Sequence, residues 1–165
     1  MNESEWEEWC AALPREEREV AHAMLIKVAD LGSTEDLRGV IWSELDQGAP
    51  ELARFLLLRR IWLTLIRSWS ENDNLRGLRA IERLVDQGVD LNDLKSLAQE
   101  ISYETVFGLL YLLDLGHDDT MSGMPGWRLL EVDSDRNSVG RSMGGLHESL
   151  LGADPTGNEG MDFLD

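Results

Sequence analysis

Apolar residues in the first two thirds of the chain recur every three or four positions, the spacing that lines one face of an α-helix. Trp6, Trp9 and Cys10 share such a face. Ser4 and Glu7 just before it have capping-box spacing, in which a hydroxyl and a carboxylate satisfy the free N–H groups of a helix start. A short first helix is expected. Val20, Ala21, Met24, Leu25 and Val28 repeat the pattern. Pro14 suits a first helical position, Glu16 and Glu17 the positive end of the dipole, and Gly32 a left-handed stop, so a second helix is predicted over 14–31. Leu37, Val40, Ile41 and Leu45, with Trp42 at one edge, predict a third that Ser33 and Asp36 start and Gly48 ends.

From 51 to 69 the pattern is apolar nearly all round, with Phe55, Leu58, Ile61, Trp62, Leu65, Ile66 and Trp69, which is too wide a stripe for a surface helix. The segment reads as the central helix. Its arginines at 54, 59, 60 and 67 must reach solvent or find carboxylates, because an unpaired buried guanidinium is costly. Asp73 or Asn74 can cap a fifth helix to Gln87 with Leu75, Leu78, Ile81, Leu84 and Val85 facing inward. Asn92 opens a sixth, which presents Leu94, Leu97, Ile101, Val106 and Leu110, with a break expected near Ser102.

After Gly116 the grammar changes. Trp127, Leu129, Leu130 and Val132 suit a short strand and 133–138 is turn chemistry, so a hairpin returning through Val139 is predicted. A helical turn over 146–151 is followed by Gly152, Pro155, Gly157 and Gly160. The fold class expected is mainly α: a single-domain antiparallel bundle of about six helices with a small C-terminal β-hairpin or irregular segment. The helical domain would cover 1–151, including the hairpin near 127–141, and 152–165 would be a flexible tail.

Charge narrows the possible partners. The 165 residues carry 15 basic and 32 acidic side chains, a net of -17. Residues 1–50 hold 12 acids against 4 bases and 117–165 hold 10 against 3, whereas 51–88 hold 5 against 7. Such a surface repels nucleic acid and anionic membranes and attracts a basic protein. One cysteine, Cys10, excludes an intramolecular disulfide, and the amino terminus lacks a basic region followed by an apolar core, so a reducing cytoplasm is the expected location.

Catalytic and metal-binding patterns are incomplete. Asp133, Asp135 and Asn137 have the spacing of the first ligands of a calcium loop, but Ser138 and Gly144 stand where that loop needs Gly and a bidentate Glu. His147-Glu148 opens a zinc-protease motif, yet Leu151 occupies the place of its second His. His117 beside Asp118 and Asp119 reads as an exposed loop, His22 as a boundary residue, and Cys10 among glutamates as packed rather than reactive. Glu100 and Glu104 around Tyr103 read as a solvated face or as partners for Arg59 and Arg60. No catalytic, cofactor or metal residue is therefore assigned.

Interaction chemistry remains. In general character the chain resembles small acidic immunity proteins, which work by occluding a toxin's active site. High acidity, a compact helical design and the absence of complete catalytic signatures point to a noncatalytic protein whose partner is a basic toxin or enzyme, contacted by Glu5, Glu7, Glu8, Asp118, Asp119, Asp133 and Asp135. Trp6, Trp9, Trp42 and Trp127 are candidate apolar anchors, although core packing is the simpler expectation for Trp42 and Trp127. A helical regulatory or scaffold adaptor is the alternative, and a metal-dependent enzyme built on His117 and His147 comes last.

Overall fold

Asn2, rather than Ser4, caps the first helix. Its side chain accepts from the Glu5 N–H at 3.0 Å while the Glu5 carboxylate accepts from the Asn2 N–H at 2.9 Å. The box therefore sits two residues earlier than the Ser4–Glu7 spacing suggests, because asparagine caps as well as serine and the helix already includes Ser4. The computed structural model describes every residue except Ser33, 72–74, Arg76, Met121, Ser122 and Asp165. The chain is mainly helical with one two-stranded antiparallel sheet, and it divides into two compact units. Among the described residues no helix is long and apolar enough to cross a membrane.

The first unit comprises Met1–Phe55 and Leu130–Met143. It contains α1 (Glu3–Ala12), α2 (Arg15–Val28), α3 (Thr34–Asp46) and the start of α4 (Glu51–Ile61). The expected start of α3 at Ser33 lies outside the described residues. Trp6, Cys10, Ala21, Val28, Leu37 and Ile41 form the core, with Trp9, Met24 and Phe55 packed against it. These are the helix-spaced positions of the sequence, and their burial is what makes short helices persist. Trp42 is only half-buried.

Two strands, β1 (Leu130–Val132) and β2 (Ser138–Ser142), complete this unit. Leu130 pairs with Ser142 and Val132 with Ser138, so β2 spends extra residues between the pairs. Gly140, at φ +84, takes the left-handed conformation there. Arg141 fastens the hairpin: it donates to Glu131 at 2.6 Å, pairs with Glu44 of α3, and reaches the Ala49 carbonyl at 3.4 Å. The strand begins at Leu130 and not at Trp127, whose indole N–H instead donates to the Leu112 carbonyl at 2.8 Å within the second unit.

That second unit comprises Leu56–Leu129 and Gly144–Asp165. Here α4 runs into a π turn, Trp62–Ile66, followed by α5 (Ser68–Glu71), α6 (Arg79–Asp86) and α7 (Leu91–Leu115). Leu58, Trp62 and Ile66 are fully buried, as the apolar run predicts, but Leu56, Leu63 and Leu65 are exposed. Helix α7 is continuous, without the break expected at Ser102. The Ser102 hydroxyl donates to the Leu65 carbonyl of the π turn at 2.8 Å and so does not compete with its own helix. Asp90 caps α7 by accepting from the Asn92 N–H at 2.7 Å.

Helix α6 departs most from expectation. The proposed caps Asp73 and Asn74 lie outside the described residues, and α6 itself buries no side chain. Leu75 is buried, but Leu78, Leu84 and Val85, expected to face inward, are exposed. Residues 152–164, where glycine and proline predict a flexible tail, run through a 3-10 turn (Leu151–Ala153) and further turns that bury Asp154, Gly160 and Phe163.

Candidate functional site

All seven carboxylates expected to meet a partner are exposed. Glu5, Glu7 and Glu8 lie on α1 and Asp133 and Asp135 in the hairpin loop of the first unit, whereas Asp118 and Asp119 follow α7 in the second. Two of the loop carboxylates are held by their own turns. Asp118 accepts from the Thr120 hydroxyl at 2.6 Å and the Thr120 N–H at 2.9 Å, and these bonds hold its carboxyl below the ordinary range. Asp133 accepts from the N–H groups of Asp135 and Asn137, each at 2.9 Å, and is lowered chiefly by the latter. Its oxygens are thus engaged by the turn rather than converging with Asp135 and Asn137 on a cation site.

Several arginines are instead engaged by the chain's own carboxylates. Arg38 pairs with Glu3, Arg54 with Glu51, and Arg141 with Glu44 and Glu131, all within the first unit. Arg67 is the most deeply placed. Its side chain is 7% exposed and its guanidinium meets Asp154, itself 0% exposed, at 2.7 Å, together with Asp162 and the Thr156 hydroxyl. The π turn delivers it there. Its Arg67 N–H bonds the Trp62 carbonyl at 2.8 Å, five residues back, and one extra residue in a turn rotates later positions by roughly 100°.

The 154–160 loop is shaped to present Asp154. Oδ1 accepts from the Thr156 N–H and hydroxyl, and Oδ2 accepts from the Gly160 N–H at 3.0 Å. Gly160 sits at φ +73, and a Cβ there would come within 2.6 Å of Leu164, so the loop requires glycine. Burial works to raise the Asp154 carboxyl, but the Thr156 and Gly160 N–H groups and Arg67 outweigh it and hold the pKa below the usual value. Burial likewise opposes the charge of Arg67, yet its bonds to Asp162 and Asp154 raise its pKa.

A depressed folded-state pKa stabilises the fold above the unfolded value, about 3.9 for Asp, and that contribution disappears as pH falls through the folded value. Asp154→Asn should therefore cost stability at neutral pH, and the gap from wild type should narrow as the pH drops below about 4. Urea unfolding of both proteins at pH 6 and pH 3 measures this, and a gap independent of pH would contradict it.

The histidines serve separate local contacts. Asp114 Oδ2 accepts from the His147 N–H at 3.1 Å and lies 2.6 Å from its Nδ1, while Phe107 and Tyr111 stand edge-on to the imidazole. This pair ties the 144–150 turn to the end of α7. His117 pairs with Asp119 at 2.6 Å, and His22 meets Trp6 edge-on in the first unit. Among the described residues no three His, Cys, Asp or Glu side chains gather around a metal position. Cys10 is buried, and burial raises its thiol pKa. The Arg18 charge acts on it in the opposite direction, so burial, and not the neighbouring glutamates, raises this thiol. Tyr103, between Glu100 and Glu104, is buried against Trp62, and burial followed by the Glu104 charge raises its phenol.

One concave feature lies wholly in the second unit. A trough of about 610 Å³ runs between the π turn, α5 and α7, lined among others by Leu65, Trp69, Leu78, Ile101, Val106 and Leu109. Sequence periodicity assigned Leu65, Trp69, Leu78, Ile101 and Val106 to inward faces and left Leu109 unassigned; of the five, Val106 is buried, whereas Leu65, Leu78 and Ile101 are exposed. The signal for the Arg67 site was the need of an arginine in an apolar run to reach solvent or find carboxylates, although nothing in the spacing chose between these or identified Asp154 and Asp162. No protein-family model, characterised protein or solved structure matches this chain.

Proposed function

We propose that the chain is a noncatalytic acidic binding protein for a basic protein partner, acting as a bacterial immunity-type inhibitor that occludes a cationic toxin or enzyme. The observation that carries this reading is the asymmetry of charge. Glu5, Glu7, Glu8, Asp118, Asp119, Asp133 and Asp135 are all exposed, while Arg38, Arg54, Arg67 and Arg141 are engaged by the chain's own carboxylates. A surface with surplus carboxylate accelerates encounter with a basic site and discriminates against acidic proteins.

The test begins with capture from lysate at low salt, followed by titration of the purified partner. The partner should be basic, lose its activity on binding, and bind at least about tenfold more weakly at 300 mM than at 50 mM salt. The substitutions Glu7→Lys with Glu8→Lys, Asp119→Lys and Asp135→Lys should weaken binding and slow association. A partner bound equally at both salt concentrations would overturn the electrostatic reading. A partner whose activity survives binding would favour the second reading, a helical adaptor, for which the open apolar trough speaks.

A further inference from the structure

We propose that α6 is a hinged lid that closes on α7 as one arm of an antiparallel helical hairpin, and that the conformation described above is its open form. This goes beyond the binding role and does not depend on it. Helix α6 has eight residues and buries none of their side chains, although Leu78 at its N-cap, Ile81 and Val85 give it an apolar side. A helix this short is marginal in water by itself and is ordinarily held by packing of its apolar face. The surface it lacks lies in the same unit, on α7.

The register of the hairpin is already set. Ile81, Val85 and Asp86 line a hollow of about 340 Å³ together with Leu91, while Leu78 borders the trough beside Ala98 and Ile101. Both juxtapositions are nearly symmetric about Gly88, as in two antiparallel helices joined by the short link 87–90. The hollow is what separates the arms. Continued at the same register, Ile81 comes level with exposed Leu97, and Glu82 level with Lys95 on the other flank. Closure thus sets apolar against apolar and opposite charges side by side.

Glycines stand at both ends of the lid. Gly77 and Gly88 are left-handed, at φ +94 and +91, and a Cβ at either would meet nothing within 4 Å. Backbone at such positions turns without a side chain to obstruct it, as a hinge requires. Swinging toward α7 collapses the hollow, covers Ile81 and Val85 against Leu91 and Leu97, and carries Leu78 into the near end of the trough. Because Leu78 belongs to both features, lifting the lid and opening the trough are one motion.

The test oxidises the full chain carrying Ile81→Cys with Leu97→Cys, beside Arg83→Cys with Leu97→Cys, whose first cysteine is on the opposite side of α6; Cys10 is buried and stays in place. The first pair should form an intramolecular disulfide at least tenfold faster than the second. Locking the lid should lower the fluorescence of the neutral dye Nile red several-fold, and reduction should restore it. In the unmodified chain, hydrogen exchange should show the amides of 82–86 protected at least tenfold over a peptide spanning 77–89. That protection should be lost in Ile81→Glu with Val85→Glu and kept in Arg83→Glu. Neither apolar side chain is buried, so circular dichroism should change by no more than the signal of α6.

Equal rates for the two cysteine pairs, α6 amides that exchange as fast as in the peptide, or protection that survives Ile81→Glu with Val85→Glu, overturns the lid. Disulfide-linked dimers in place of the intramolecular bond would make a second copy the cover of this face and overturn it as well. Nile red bound equally by locked and reduced protein overturns the coupling of the lid to the trough.

Discussion

Replacing Arg67 by alanine is expected to lower the free energy of unfolding by about 3–5 kcal/mol, the usual result of removing one partner from a buried ion pair. Two carboxylates depend on this guanidinium, and Asp154 has no exposed side-chain surface through which water could replace it. The arginine carbon also lies 5.5 Å from the ring centroids of both Trp62 and Phe163, which adds a cation–π contribution. Lysine should recover less than half of the loss, since one ammonium cannot reproduce separate bonds from the two terminal nitrogens to Asp162 and Asp154. Combining Arg67→Met with Asp154→Ala should be less damaging than the sum of the single changes, because the buried carboxylate is then gone and the one left, Asp162, is 42% exposed and can be solvated. Urea unfolding followed by circular dichroism provides the measurement. A loss below about 1 kcal/mol for Arg67→Ala would place the pair with exposed ion pairs, contrary to the burial described.

Trp62→Ala should cost a similar amount, about 3–5 kcal/mol, by loss of a large buried side chain. Its ring is fully buried, 6.0 Å from both Tyr103 and Phe163, and its indole N–H donates to the Leu150 carbonyl at 2.6 Å. Trp62→Phe separates the two contributions. It retains most of the apolar volume but leaves the Leu150 carbonyl without that donor, at a cost of about 1–3 kcal/mol. Thermal unfolding should rank wild type above phenylalanine and phenylalanine above alanine. Equal losses in both variants would mean that the hydrogen bond, rather than the volume, dominates this core.

These two residues show how far the chain's own pattern reached. The apolar run over 51–69 marked Trp62 as internal, and burial of Leu58, Trp62 and Ile66 follows from their four-residue spacing. The same run required Arg67 either to reach solvent or to find a carboxylate, for the general reason that buried charge needs compensation. Local order could not name the partner. Asp154 and Asp162 lie 87 and 95 residues away, and the π turn that rotates Arg67 inward leaves no mark in a pattern read at 3.6 residues per turn.

What the sequence by itself determined is therefore local and compositional: a mainly helical chain, a small hairpin after the last long helix, the helix-spaced cores of α1 to α3, and a large surplus of carboxylate. Each follows from interactions spanning a few residues or from simple counting. Tertiary structure alone decided which apolar faces are covered. Helix α6 and the outer side of α7 have the same periodic leucines as a buried helix, yet they remain exposed and leave the trough open, because burial depends on a neighbouring surface and not on the pattern that invites one. It also turned the Gly- and Pro-rich end, whose composition suggested fraying, into the loop that holds Asp154 against Arg67.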